Sequence, residues 1–312
     1  MKRSARPSAY VYLMPVGAAL FWGLNPIIMK IGLAELNPLP FNTLRLALGL
    51  LFTGLLTLTV PSFRRSWRSL RRADVPRFAA VSLAGFFVFQ LGYSFGVDYT
   101  SASVAAIILG MLPINVAILN GLSGLERPGR LKLIGIAATF IGVVFIALGR
   151  HGGISLAGTY IYGVLLLVVA EFAYGGYTVF VKPLTARYPI DQIIFIIISI
   201  SLAFFLLLNI SILGVGDFAG LSLSTWLSCA GSGILALSGG NILWSQGVKR
   251  LGSTNTSVFG NLPPVFGILA GILLLGETLT LLQLAGAAVI LSGVALVNSR
   301  PGNPASEKEQ HS

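Results

Sequence analysis

The sequence predicts an all-α, polytopic membrane protein: ten transmembrane helices in two inverted five-helix repeats, with both termini cytoplasmic. Three observations predict it. Apolar residues come in blocks of about twenty, the length a helix needs to cross the hydrocarbon core of a bilayer. Basic residues fall almost wholly on one side of those blocks. The second half of the chain repeats landmarks of the first.

Composition supports the class. The chain has 312 residues, 55% hydrophobic and 10% charged, with mean hydropathy +0.85. A soluble domain carries about 25% charged residues. The alternating strands of about ten residues that mark an outer-membrane barrel are not seen. Net charge is +11 and the pI about 10.2. Basic residues flanking membrane helices on the cytoplasmic side account for that excess without nucleic acid. Cys229 is the single cysteine, so neither an intrachain disulfide nor a cysteine metal site can form. His151 and His311 lie outside the apolar blocks, against a histidine relay in the membrane.

Taken in order, the first span covers 10–32. The preceding MKRSARPSAY imitates a secretory signal, but the apolar run is too long for one and further spans follow, so a retained helix is expected. The others are expected at 39–60, 76–97, 102–123, 131–149, 158–181, 191–213, 224–247, 254–275 and 281–298, the eighth being the least hydrophobic. After span two, Arg64, Arg65, Arg68, Arg71 and Arg72 share one helical face. Either a short interfacial helix on anionic lipid or an ordinary basic loop fits. Residues 299–312 are polar and expected to be a disordered tail.

Placing the N-terminus in the cytoplasm puts 18 Lys and Arg in cytoplasmic segments, leaves only Lys30 and Arg150 outside, and sets Arg45 within a span. This positive-inside bias also checks the span count, since one missed helix would scramble it. A shift of 151 lays Pro113 on Pro264, Glu126 on Glu277, Gly135 on Gly286 and Gly142 on Gly293. It also lays Tyr93-Ser94-Phe95-Gly96 on Trp244-Ser245-Gln246-Gly247. A shift of 152 relates Trp22-Gly23 to Tyr174-Gly175, and Lys30 to Lys182. Four landmarks in order without a gap indicate duplication, with halves at 10–149 and 158–298. Five spans per half is an odd number, so the halves are inverted, a plan common among secondary transporters with a site near the midplane.

These residues resemble the drug/metabolite transporter superfamily, in particular its ten-helix EamA-type exporters. The resemblance rests on ALFWGLNPIIMK in span one, FNTLRLALG in span two, the aromatic-Ser-x-Gly ends of spans three and eight, and the twin Pro…Glu…Gly…Gly segments. It covers about residues 13–298. It implies a carrier in an inner membrane, often an exporter, and leaves the cargo open.

Glu171 sits near the middle of span six, where an ionisable group is costly and functional by default. It is read as a site for a substrate ammonium or a coupling proton, with a structural carboxyl as the alternative. Arg45 lies roughly 10 Å below the outer surface by helical rise. It meets a substrate carboxylate, bonds backbone carbonyls, or snorkels; the resemblance places an arginine there whatever the cargo. Trp22, Asn25, Gln90, Tyr93, Tyr174, Tyr177, Asn241 and Trp244 form a repeat-related set. Together they are expected to line an amphipathic substrate-binding cavity, with aromatic faces for apolar cargo or an ammonium. Interfacial anchoring of Trp and Tyr is the competing reading. Asn115, Asn255 and Asn261 are secondary candidates. Pro113, Pro263 and Pro264 fall within spans and are expected to kink them, as hinges or as static bends. Glu126 and Glu277 fall at hairpin turns and are expected to cap spans five and ten.

No GxxxxGK, no HExxH and no set of enzymatic groups is present, so ATP drive, metal chemistry, any cofactor and an enzyme are not expected. The expected partners are a small-molecule substrate and membrane lipids, without nucleic acid. The small-xxx-small glycine pairs indicate close helix packing rather than a dimer, so a monomer is expected. With one intramembrane cation, phosphorylated cargo is disfavoured. The expectation is alternating-access export of amino acids or similar amphipathic metabolites. A multidrug or lipophilic-cation exporter and a channel-like facilitator are the alternatives.

Overall fold

Backbone in hydrocarbon must satisfy its own hydrogen bonds, and apolar blocks of this length do so as helices. The computed structural model describes residues 9–61, 67–124, 129–149, 158–210, 218, 220–251, 256 and 258–298; among them there are helices and no strand. Eight helices are long and apolar enough to cross a membrane: α1 (Tyr10–Gly32), α2 (Pro38–Thr59), α3 (Arg72–Tyr99), α4 (Ala102–Leu122), α5 (Arg130–Leu148), α6 (Thr159–Thr185), α7 (Ile190–Asn209) and α8 (Leu223–Leu251). Two shorter apolar helices follow, α9 (Phe259–Leu275) and α10 (Leu281–Asn298). The protein is thus an all-α polytopic membrane protein, and α8 has the lowest mean hydropathy of the eight, 1.2.

The packing exchanges one half for the other. α1 lies against α8 and α9, and α6 lies against α3 and α4. α2 packs on α7 and α8, α7 on α2 and α3. α4 meets α9, and α5 meets α10. Replacing each helix by the one five places on maps this pattern onto itself, as inverted repeats require.

Lipid tails are as apolar as leucine, so helices associate through close packing rather than through the hydrophobic effect. The α5–α10 pair shows how. A Cβ on Gly135 would stand 2.6 Å from the Gly293 carbonyl oxygen, and one on Gly142 would stand 2.7 Å from that of Gly286. The reverse placement on Gly286 gives 2.7 Å to the Gly142 oxygen. Only glycine allows the two backbones this close, and the repeat-related glycines pack on one another across the halves.

α3 and α8 each contain a π-helical stretch, Val81–Phe87 and Gly231–Gly239. Shifted by 151, residues 81–87 become 232–238, inside the second stretch. A wide turn of this kind releases carbonyls for side chains. The Ala236 oxygen accepts from Trp22 Nε1 at 3.1 Å and the Leu237 oxygen from Asn241 Nδ2 at 2.6 Å.

Three local expectations meet a definite outcome, and the third is overturned. α4 is interrupted just before Pro113, between Ala102–Leu109 and Leu112–Leu122, so Pro113 occupies the first turn of the second piece. Pro263 and Pro264 likewise stand in the first turn of the α-helical part of α9, after the 3-10 turn Val258–Asn261. In a first turn the missing proline N–H has no intrahelical partner to lose. Next, residues 67–70 carry no helix. The chain is drawn out along α7 instead: Trp67 Nε1 donates to Asp191 at 2.7 Å, the Arg68 backbone exchanges bonds with the Gln192 side chain at 2.9 and 2.6 Å, and the Arg71 amide donates to Tyr188 at 3.0 Å. Arg68, Arg71 and Arg72 are exposed there, while Arg64 and Arg65 lie outside the described residues. Lastly, Glu277 does not cap α10. Its two oxygens accept from the Ala102 and Ser103 amides at 2.7 and 2.8 Å, the first turn of α4 in the other half. Glu126, Asn255 and the tail 299–312 lie outside the described residues.

Candidate functional site

Four of the expected residues meet in one buried network. Arg45, 2% exposed, donates from Nη1 to Met29 Sδ at 2.8 Å and from Nη2 to Gln90 Oε1 at 3.2 Å. Asn25 Nδ2 donates to the Tyr93 hydroxyl at 3.3 Å and to Met29 Sδ at 3.4 Å. Its Oδ1 accepts from Ser232 in the α8 π-stretch at 2.6 Å. The network therefore ties α1, α2 and α3 of the first half to α8 of the second. Below it, Asn42 Nδ2 donates to the Gln90 carbonyl at 3.1 Å and to Ser94 Oγ at 2.5 Å. Ser94 is the serine of the aromatic-Ser-x-Gly motif, so that motif serves to lock α2 to α3.

A second group is aromatic. Tyr93 stacks on Phe89 with centroids 5.3 Å apart, Phe89 meets Tyr174 at 4.6 Å, and Tyr174 stacks on Tyr177 at 5.3 Å. This ladder runs from α3 to α6. Tyr174, Tyr177 and Asn241 line one cavity of about 10 Å³ with Phe86 and Leu237, at the lower limit for a single water. Trp22 and Trp244 form a separate pair at 5.3 Å. The expected set is therefore brought together as three neighbouring groups, not as one open cavity.

Glu171 stands between them. It is 1% exposed, and neither carboxyl oxygen has a hydrogen-bond partner. Its neighbourhood follows from glycine contacts. Gly163 packs on Tyr99 and Thr100, Gly175 on Asn115 and Leu119, so α6 and α4 run parallel. Glu171 precedes Gly175 by one turn on the same face, which sets it alongside the Gly110–Met111 break of α4. Asn115, one turn beyond that break, is fully buried with both amide groups unpartnered. Arg45 bonds Met29 and Gln90 and not Glu171, and its Nε is unpartnered. Unpaired buried polar groups cost about 1–3 kcal/mol each; Arg45 Nε, Gln90 Nε2, Asn115 and Glu171 carry them here, and Asn42, Ser82, Ser103 and Asn209 each carry one as well.

Sequence reasoning missed Met29, Ser232, Asn42 and Phe89. Met29 and Phe89 are indistinguishable from other apolar residues of their spans. Asn42 is polar within a span, two residues into FNTLR, and carried a usable signal. Among the described residues, no three His, Cys, Asp or Glu side chains gather to hold a metal.

The ends of the molecule are tied by charge. Glu35, after α1, accepts from the Ser222 amide at 3.0 Å and the Thr225 hydroxyl at 2.7 Å, capping α8. The Ser222 and Thr225 bonds hold its carboxyl below the usual carboxylate range. At the opposite end, Arg187 after α6 bridges Asp74 at the start of α3 at 2.7 Å, and Tyr188 donates to the same carboxylate at 2.8 Å. A shift of 152 takes Glu35 to Arg187, and 151 takes Asp74 to Thr225. The two ties are repeat-related, with the charge transposed.

Comparison with known proteins agrees with this architecture. The EamA-like transporter family model matches twice, over residues 9–148 and 161–299. An uncharacterized transporter of Archaeoglobus fulgidus is 31% identical over 281 residues, covering 89% of this chain and 94% of that protein. A probable amino-acid metabolite efflux pump of Salmonella typhimurium is 25% identical over 297 residues, covering 93% and 94%. A solved crystal structure at 18% identity shares the fold, with a TM-score of 0.63 over 92% of this chain and 96% of its own. A chain matched by one family model in each half, with helices that pack as exchanged halves, is a multi-pass membrane protein of the EamA-like transporter family.

Proposed function

We propose that this protein exports amino acids or similar small zwitterionic metabolites across a bacterial-type inner membrane by alternating access between halves 10–149 and 158–298, with both termini cytoplasmic. The observation that carries the reading is that Arg45, Gln90, Asn115 and Glu171, all buried, keep polar atoms without partners. A cargo carboxylate suits Arg45 Nε and the Gln90 amide. A cargo ammonium suits Glu171 and the Asn115 carbonyl oxygen. Tyr93, Tyr174 and Tyr177 offer aromatic faces to the apolar part. Trp22, Asn25, Asn241 and Trp244 surround these residues and rearrange when the site opens, with the breaks at Pro113, Pro263 and Pro264 as hinges. The name of the Salmonella relative is consistent with this cargo class.

The ladder Tyr93–Phe89–Tyr174–Tyr177 favours a second reading, export of a lipophilic cation held by Glu171. Arg45 opposes it, since the cargo would enter beside a buried cation. Proteoliposome flux of a panel of amino acids and of lipophilic cations separates the two. The expected result is flux of at least one amino acid, accelerated by preloading the far side. Flux of cations alone overturns the amino-acid reading, and flux indifferent to preloading overturns the carrier in favour of a pore.

A further inference from the structure

Lys30 ends α1, and its ammonium donates to three carbonyl oxygens: Val97 at 3.0 Å, Asp98 at 2.7 Å and Thr100 at 2.7 Å. These close the last turn of α3, whose carbonyls lack intrahelical partners. Two residues after Thr100, α4 begins, and Glu277 holds its first amides from the turn before α10. A cation thus sits on a helix C-terminus and an anion on a helix N-terminus, each the favoured sign. The Asp98 and Glu277 carboxylates also attract Lys30. The α3–α4 corner is gripped from α1 in its own half and from α9–α10 in the other. Ser103, just inside the grip, is fully buried.

The repeat supplies a counterpart. A shift of 152 takes Lys30 to Lys182, and 151 takes Val97 and Asp98 to Val248 and Lys249. Lys182 is exposed, in contrast to Lys30. The last turn of α8, which Lys182 would have to grip, carries Lys249 and Arg250. Where Lys30 meets Asp98, the matching end of α8 is basic.

We propose that Lys30 and Glu277 are gating residues: together they latch one mouth of the transport path, and transport requires their release. The latched mouth is the one at the α3–α4 corner. By the distribution of basic residues this is the outer one. The proposal rests on the alternating-access reading, but its test needs no cargo.

The test is alkylation of Ser103→Cys in a Cys229→Ser background, in detergent micelles where both mouths meet the reagent. A bulky hydrophilic maleimide is used. With Lys30 intact, labelling of the native fold is slow. Lys30→Met is expected to raise the rate about tenfold or more, since it removes three charge-assisted bonds. Glu277→Gln, nearly the same shape, is expected to raise it by a smaller factor. Lys182→Met is expected to leave the rate at or below that of the parent. Monodispersity and thermal midpoint identify unfolded variants, and Glu277→Gln carries the test if Lys30→Met is one. Unchanged labelling in the folded latch variants, or an equal rise with Lys182→Met, overturns the latch. If the latch falls while preloading still accelerates flux, the carrier reading stands without it.

Discussion

At the scale of single residues, Glu171 and Arg45 are unlike in how the fold treats them. Arg45 spends two of its nitrogens on Met29 and Gln90 and keeps one group unpaired. It is in part a fastener of α2 to α1 and α3, through side chains rather than through the backbone carbonyls expected from sequence. Glu171 has no bond at all on either oxygen. A carboxyl kept in that condition contributes nothing to packing that glutamine would not, and the proposed function gives it protons or cargo to meet. Glu171→Gln is therefore expected to preserve the fold and thermal midpoint, and to abolish any dependence of flux on a pH gradient. An unchanged gradient response in proteoliposomes excludes Glu171 as the coupling site. That a charge stood at the middle of span six was legible from its position alone. Its lack of partners was not, because the partners it lacks lie on α3 and α4, some sixty to eighty positions away.

At the scale of elements, the sequence located the spans well and their interruptions poorly. Ten apolar blocks and their alternation in charge sufficed for the helices. The prolines marked where α4 and α9 depart from ideality, but not how: a break at Gly110–Met111 puts Pro113 in a first turn, where it is harmless. The π-helical stretches of α3 and α8 had no signal, since 81–87 and 231–239 share almost no residues. They share a task instead, each facing the helix pair of the other half. Caps were misassigned for a related reason. Glu277, at a hairpin turn, was matched to the nearest helix start in sequence, whereas it reaches a helix start in the other half, as Glu35 also does. The Glu35 cap makes a pH prediction. Its carboxyl is held below its ordinary value, so the stability it gives is present above the unfolded value, about 4.3. That contribution is lost as pH falls through the lower, folded value. Glu35→Gln is expected to lower the thermal midpoint at pH 7, with the gap to the parent closing below about pH 4. A gap constant across that range contradicts the cap.

At the scale of the molecule, the two halves are joined at both ends and along one edge. Glu35 with Thr225, and Arg187 with Asp74, tie the ends; α5 and α10 tie the edge through their glycines. Gly142→Leu is expected to be severely destabilising, because a side chain would have to enter where backbone already stands 2.7 Å from the Cβ position. Overpacking a core costs about 1–3 kcal/mol when side chains can shift, and a carbonyl cannot. Loss of folded yield, or a fall of many degrees in thermal midpoint, is the expected readout. A variant of near-parental stability contradicts the crossing. The equivalence of Gly142 with Gly293, and of Gly135 with Gly286, was visible as repetition, but the crossing that sets Gly142 on Gly286 and Gly135 on Gly293 was not.

The same crossing bears on how the chain is made. α5 has little contact with the rest of its own half, and only 22% of its apolar stretch is buried. Its true neighbour emerges from the ribosome some 151 residues later, the spacing of the repeat. At about 5–20 residues per second, that is a wait of roughly 8–30 s. Throughout it a groove of bare backbone, shaped to admit any helix with small residues at the same interval, lies open to the bilayer. The duplication that gives the finished protein its symmetry thus leaves the nascent one exposed to wrong pairings, including with the α5 of a second copy.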